Sequence, residues 1–403
     1  MKTGRQSLLP LLLADVISTL GGEIAGIALP WFVLTRTGSP GQMSLVLAAG
    51  FAGIIVFGLP GGKLPAALGA RRAMLASDLI RGGLTAAVPI LAWTNTLSLP
   101  LLLVIVFVEG GFFGAYQASQ RLLLSEIAAH EESALIRGGG FLGSVNEAAS
   151  FAGPAIGGLL IALMGPTAVL LFDAASYLVA FGIIFAFIHA DAPPVKGDES
   201  ATGLFAGVRF LRRDPILWPL IVSVSVQELA WTAMFAALPV LAFREFGGSV
   251  KLAGWFFAAY GGGSVAGGLI AARYASRIDL RIVPPAIVGV AVSMWSLALP
   301  LPAWGVICAV AMIGVFIGLF FPPLMAEVTL RPPEPLRAQV LSASTTLFSF
   351  TGPLGFIAAG LLLDRYRTTT PTFVMIGAIA TVAAGLSMIA RGRGRRKGSF
   401  SER

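Results

Sequence analysis

Long apolar runs alternate with short polar breaks along the whole chain. Several breaks are only a few residues long, such as "MGPT" (164–167) and "LPLPA" (299–303). A helix needs roughly 20 apolar residues to cross the hydrocarbon of a bilayer. In hydrocarbon only a helix or a closed barrel satisfies its own backbone. The pattern predicts twelve helical spans, at about 8–34, 42–62, 73–94, 97–120, 138–164, 167–189, 215–243, 252–272, 281–301, 303–325, 338–363 and 371–390. Short connections force neighbouring helices to run antiparallel.

One polar break is long. Residues 191–214, "DAPPVKGDESATGLFAGVRFLRRD", hold prolines, glycines and charges, and six spans lie on each side. The reading is an N-terminal six-helix bundle (1–190), a cytoplasmic linker (191–214), a C-terminal six-helix bundle (215–390) and a basic tail (391–403). The two halves also repeat each other. "ALP" at 28–30 matches "ALP" at 237–239 at an offset of 209, and "SFAGP" at 150–154 matches "SFTGP" at 349–353 at an offset of 199. Matches at nearly constant offset indicate a six-helix repeat, the construction of many secondary transporters.

Composition agrees with this class. The 403 residues are 56% hydrophobic and 12% charged, about half the charge of a soluble domain. The net charge of +8 does not indicate nucleic acid. With the N-terminus inside, 22 of the 28 Lys and Arg residues fall in inside segments and 5 in outside loops, and Arg81 lies in the third span. That bias places both termini in the cytoplasm. The start, "MKTGRQSLLPLLL", is read as a retained first span, because the apolar run continues to Leu34 with acids inside it. Cys308 sits in an apolar run and is expected as a small buried hydrophobe. His130, His189 and Cys308 have no metal-site spacing. "YGGGSVAGG" (260–268) lacks the spacing and context of a nucleotide loop, so no cofactor and no ATP drive are expected.

The candidate chemistry lies inside the spans. Pro154 and Pro353 lack an N–H, so each is expected to free the carbonyl of the serine four residues before it, Ser150 or Ser349. Gly153, Gly157 and Gly158, with Gly352 beside Pro353, leave bare helix faces that another backbone can approach. These six positions read as paired conformational hinges. The "GGFFG" (110–114) and "GVFIG" (314–318) stretches read as packing faces. Charge in hydrocarbon is expensive, so acids within spans normally face a bundle interior or a cavity. Glu23 lies about 22 Å along its helix, and Glu109, Glu147 and Glu228 fall near the midplane. Asp15 lies nearer the cytoplasm and Asp173 nearer the outside. A buried carboxyl that loads and releases a proton is the chemistry of a proton-coupled transporter. Glu23, Glu147, Glu228 and Asp15 are the proton-coupling candidates. A carboxylate can equally bind a cationic substrate, and Glu109 and Asp173 are read that way. Trp31, Trp231, Tyr260 and Phe348 are candidates for lining an apolar pocket, where stacking suits large amphipathic molecules.

"ASFAGPAIGGLL" (149–160) resembles the fifth-helix signature of the drug:proton antiporters of the major facilitator superfamily. "ALPWFVLTRTGSP" (28–40), "ASDLIRGG" (76–83), "GVRFLRRDPIL" (207–217), "PPEPLRAQVLS" (332–342) and "GPLGFIAAGLLLD" (352–364) also look like multidrug and macrolide efflux pumps and siderophore exporters of that superfamily. The resemblance implies two pseudo-symmetric six-helix bundles around a central cavity, alternating access and export driven by proton entry. The loop after the second span, "GKLPAALGARR" (62–72), departs from the family pattern. Gly62, Leu64, Gly69, Arg71 and Arg72 fit, but Ala66 and Ala67 stand where the family has Asp and Arg. The family's cytoplasmic latch is therefore incomplete. Asp78 and Arg81, three residues apart on one helix face, offer a substitute charge pair or a local surface pair at the membrane edge.

The sequence thus predicts an all-α membrane protein of the major facilitator fold. It would export an amphipathic small molecule from a bacterial cytoplasmic membrane by proton antiport, acting as a monomer. Its expected partners are the substrate, protons and the lipid bilayer. A lipid flippase and a transporter-like receptor remain as alternatives. An intramembrane enzyme is not expected, since no nucleophile–base pair or metal site is visible.

Overall fold

Every regular element in the computed structural model is helical, as an apolar chain that must satisfy its own backbone requires. The structure describes residues 8–58, 63–127, 132–189, 201–274 and 280–396. They form two compact units, Met1–Asp198 and Glu199–Arg403.

The first unit contains α1 (Leu8–Thr37), α2 (Pro40–Gly58), the short α3 (Lys63–Leu68), α4 (Ala70–Trp93), α5 (Leu99–Ile127), α6 (Glu132–Met164) and α7 (Pro166–Phe187). The second contains α8 (Ala201–Arg213), α9 (Leu217–Glu245), α10 (Val250–Arg273), α11 (Val283–Ser296), α12 (Ala303–Leu330), α13 (Arg337–Phe350), α14 (Gly352–Arg365) and α15 (Thr370–Arg396). Among the described residues, ten helical stretches are long and apolar enough to cross a membrane. Two shorter apolar stretches, Phe151–Met164 in α6 and Leu280–Ser296 around α11, fall where the fifth and ninth spans are predicted. The ninth is shorter than expected, because the helix stops at Ser296 rather than near residue 301.

The second part of the 191–214 segment forms α8. Leu211 of α8 is fully buried, and Gly207 sits so close to the Gln339 carbonyl of α13 that a Cβ there would overlap it. Cys308 is exposed on α12 rather than buried. An outward face in a bilayer meets lipid, so an apolar run does not mark which of its residues are inside. The eleventh span is two helices, α13 and α14, joined at Thr351.

Glycines set the closest helix contacts. The backbone of α10 lies against that of α12, where a Cβ on Gly314 would strike the Tyr260 carbonyl and one on Gly318 the Ser264 carbonyl. The "YGGGSVAGG" stretch is thus a packing face within α10, with Gly263 and Gly267 meeting Ala311 and Val315. In the first unit Gly110 of α5 meets the Gly50 carbonyl of α2, and Gly53 meets the Phe107 carbonyl. Neither backbone can retreat without opening the helix pair, so Gly314→Val is expected to destabilise the fold by about 1–3 kcal/mol. Thermal unfolding of the purified protein measures this, with Gly268→Ala as a control at a position where a Cβ meets nothing.

The end of α9 fastens a helix hairpin. Arg244 Nη1 donates to the carbonyls of Leu363 (2.8 Å) and Tyr366 (2.9 Å) at the end of α14. Glu245 accepts from the Thr369 backbone N–H (3.0 Å) and hydroxyl (2.6 Å) at the start of α15. One cation thus caps a helix C-terminus and the adjacent anion a helix N-terminus, each at the dipole end that favours it. At the start of α9, Asp214 accepts from the backbone N–H groups of Ile216 (2.8 Å) and Leu217 (2.9 Å). Its other oxygen pairs with Arg331 Nε at 2.8 Å, which ties the end of α12 to the same corner.

Candidate functional site

Four helices of the first unit carry polar side chains inward. On α4, Asp78, Arg81 and Thr85 follow the i, i+3, i+7 spacing of one helix face. On α5, Glu109, Phe113, Tyr116 and Gln120 share a face at i, i+4, i+7 and i+11. Asp173, Ser176 and Tyr177 lie together on α7, and Asp15 on α1. Asp78 is 0%, Asp15 1%, Asp173 3% and Arg81 8% exposed.

Arg81 occupies the middle of this group. Its Nη2 donates to the Tyr177 hydroxyl at 2.6 Å. The guanidinium carbon lies 4.4 Å from the centroid of the Tyr177 ring, 5.2 Å from that of Phe113 and 5.6 Å from that of Tyr116. Three aromatic faces replace part of the water that a buried cation has lost. Tyr177, Glu109, Asp173 and Asp78 all lie within its electrostatic reach.

The carboxylates have unequal partners. Thr85 donates to Glu109 Oε1 at 3.0 Å. Ser176 Oγ lies 2.7 Å from the Asp173 backbone carbonyl and 3.4 Å from its Oδ1. Asp15 Oδ1 accepts from Tyr116 at 3.2 Å and from Gln120 Nε2. Both oxygens of Asp78, the second oxygen of Asp15 and Nε of Arg81 are buried without a hydrogen-bond partner. Asp78 and Arg81 are therefore not a surface pair at the membrane edge. Both are interior, and Arg81 turns toward a phenol on α7.

The remaining predicted residues of this unit are distributed more widely. Glu23 is half-buried where α1 meets α6, and a Cβ on Gly153 would lie 2.5 Å from its Cβ. One on Gly157 would lie 2.5 Å from the Ile24 carbonyl. Gly158 and Pro154 are buried, and α6 runs unbroken through both. Trp31 is buried in α1. The side chains of Glu147 and Ser150 lie outside the described residues, as does Gly62. Gly69 precedes α4 with φ +84°, a conformation glycine adopts at no steric cost. Arg71 donates to the Phe185 carbonyl at 3.0 Å, fastening the start of α4 to the end of α7, while Arg72 is exposed.

In the second unit, Glu228 and Trp231 lie one turn apart on α9, both half-buried. The Trp231 ring centroid is 6.0 Å from that of Tyr260 and 5.3 Å from that of Phe235. Phe235 in turn meets Phe257 at 4.5 Å and Phe356 at 6.4 Å. Three helices, α9, α10 and α14, thus share one aromatic cluster. The Trp231 Nε1 hydrogen is buried without an acceptor. Phe348 is not in this cluster; it lies 6.4 Å from Phe321 on α12.

The second Gly-Pro differs from the first. Pro353 sits in the first turn of α14, where its missing N–H costs nothing. The Thr351 N–H turns back to the Ser349 carbonyl, so that carbonyl is not left free. The Thr351 hydroxyl donates to the Ser225 carbonyl of α9 at 2.7 Å. Gly355 packs against Thr232 and the Leu229 carbonyl, fixing α14 to α9.

Sequence reasoning missed Thr85, Phe113, Tyr116, Gln120, Ser176, Tyr177, Phe235, Phe257 and Phe356. The signal for most of them was present as spacing of three, four or seven residues from an acid or arginine already noted.

Comparison with known proteins gives the context of these geometries. The chain is 29% identical over 391 residues to "Multidrug efflux pump Tap" of Mycobacterium tuberculosis (strain ATCC 25618 / H37Rv), covering 94% of this chain and 92% of that one. It is 21% identical over 369 residues to "Macrolide efflux protein A" of Streptococcus pyogenes, covering 87% and 88%. The solved nucleoside transporter NupG shares the fold with a TM-score of 0.79 at 13% identity, over 95% of this chain and 99% of that one. The family model described as Major Facilitator Superfamily matches residues 11–356. With the described elements all helical, ten stretches among the described residues able to cross a bilayer and this match, the chain belongs to the major facilitator superfamily of membrane transporters.

Proposed function

We propose that the protein is a secondary active exporter that moves amphipathic small molecules, drug-like or siderophore-like, out of the cell in exchange for protons. It works by alternating access between two six-helix bundles. Twelve helices cross the bacterial cytoplasmic membrane, and both termini lie in the cytoplasm.

The observation that carries this reading is the set of carboxylates on the interior faces of apolar helices. A bilayer-spanning protein retains such groups at high cost, which a proton-carrying role explains. Asp15, Glu23 and Glu228, with Glu147 in α6, are the proton-coupling residues of this proposal. Glu109 and Asp173 are either further proton carriers or contacts for a cationic substrate. The efflux activity named for the relatives at 29% identity supports the direction of transport. In the second unit, the Trp231–Tyr260 cluster is an apolar, stacking surface beside Glu228. The Trp231 N–H without an acceptor is a donor suited to a polar atom on a bound molecule.

The full chain in proteoliposomes, with ethidium as the probe, tests this. An imposed pH gradient is expected to drive ethidium against its own gradient, and collapsing the pH gradient is expected to stop it. Ethidium movement that is unchanged after collapse overturns proton antiport.

A further inference from the structure

We propose that Arg81 is a shared counter-ion and positioning residue, which exchanges its hydrogen bond between the Tyr177 hydroxyl and the Asp78 carboxylate and so sets which carboxyl inside the first unit holds a proton. This rests on the proton-coupled reading above, although its readout needs no substrate.

The charge balance of the interior motivates it. Three carboxyls, Asp78, Glu109 and Asp173, face one guanidinium, and a fourth, Asp15, lies behind Asp78. A buried ion pair is stable only when both charges are matched and hydrogen-bonded. One guanidinium balances one carboxylate at a time, so the three compete for it.

The geometry then selects a pair. Arg81 is bonded to a neutral phenol, while both oxygens of Asp78 have no partner and the Arg81 Nε has none either. Unsatisfied donor and unsatisfied acceptor sit three residues apart on one helix face, a spacing at which side chains meet. Tyr177, Phe113 and Tyr116 hold the cation by their ring faces, which leaves the donors at the guanidinium edge able to change partner. Titratable groups face Arg81 from its own helix and from α5 and α7. These are Asp78 on its own helix, Glu109 and Tyr116 from α5, and Asp173 and Tyr177 from α7. Asp15 of α1 reaches Asp78 in turn.

The proton balance follows. When Arg81 turns to Asp78, that carboxyl releases its proton. The first acceptor is Asp15, whose second oxygen is buried without a partner while Tyr116 and Gln120 hold the first, and Asp15 passes the proton on to bulk water, so the interior holds one proton fewer. When Arg81 returns to Tyr177, Asp78 takes a proton back.

Infrared difference spectroscopy of the full chain in lipid nanodiscs tests the exchange. The C=O stretch of protonated carboxyls is followed from about pH 5 to about pH 9, a range that spans buried-carboxyl titration. Tyr177→Phe keeps the ring over the cation and removes only the competing oxygen. It is expected to remove one carboxyl's worth of this band at neutral pH. Asp78→Asn is expected to remove the same contribution, and Tyr177→Phe is expected to change nothing further in the Asp78→Asn background. Arg81→Lys retains the charge without the fork and is expected to move the titration midpoint only when Asp78 is present. An unaltered band in Tyr177→Phe overturns the proposal, as does an undiminished Tyr177→Phe effect without Asp78. The expected infrared pattern combined with transport that ignores the pH gradient supports the exchange and overturns proton antiport instead.

Discussion

Arg81→Leu is expected to lower the stability of the protein by roughly 3–5 kcal/mol, the cost typical of leaving a buried charge without its partner. The reason is not the single bond to Tyr177, since a lost hydrogen bond costs about 1 kcal/mol. Three carboxyls lie within reach of the guanidinium, and leucine leaves them in an apolar interior with no cation. Three ring faces also lose the group they enclose. Thermal unfolding of the purified protein in detergent measures the loss, with Tyr177→Phe as the control that removes the phenol oxygen and keeps the cation. Adding Glu109→Gln to Arg81→Leu is expected to restore part of the stability, because it removes one of the unbalanced acids. An Arg81→Leu protein that unfolds like the parent would show that the interior does not depend on this charge.

The second large effect is on transport. Glu109→Gln is expected to reduce ethidium accumulation driven by a pH gradient at least tenfold, a change of about 1.4 kcal/mol or more. Exchange of ethidium without a gradient is expected to stay within about twofold. The substitution isolates titration from structure, because the amide oxygen still accepts the Thr85 hydroxyl bond seen at 3.0 Å. Glutamine cannot take up and release a proton, whereas glutamate can. A parallel fall in driven accumulation and exchange would assign Glu109 to the substrate, the other role its position allows.

Much of the site was legible as periodicity along single helices. Asp78, Arg81 and Thr85 form one stripe, and Glu109, Phe113, Tyr116 and Gln120 another, both at helical spacing. The acids drew attention because charge is rare in apolar runs, while the phenols and amides beside them did not, since tyrosine and glutamine are less costly there. What periodicity along one helix does not contain is the angle at which that helix meets its neighbour. Whether Arg81 faces Asp78 or Tyr177 is decided by the packing of α4 on α7, 96 residues away in the chain. The Gly-Pro pair shows the same division. "SFAGP" and "SFTGP" are nearly identical, yet α6 continues through Pro154 whereas α13 ends before Pro353. The joint in the second copy is held by Thr351, whose hydroxyl reaches a carbonyl of α9. The first copy has Ala152 at that position.

The sequence by itself determined that this is a helical membrane protein of a transporter family, because hydrocarbon tolerates little else and a run of about 20 apolar residues has one use. It also determined which residues are costly to place inside a membrane-spanning helix. The tertiary structure alone decided how those residues are grouped: one arginine enclosed by three rings and facing three carboxyls in the first unit, and an aromatic cluster beside Glu228 in the second. The physical reason is that a bilayer sets the same requirement for every helix, while grouping depends on which bare glycine face lets which neighbouring backbone approach.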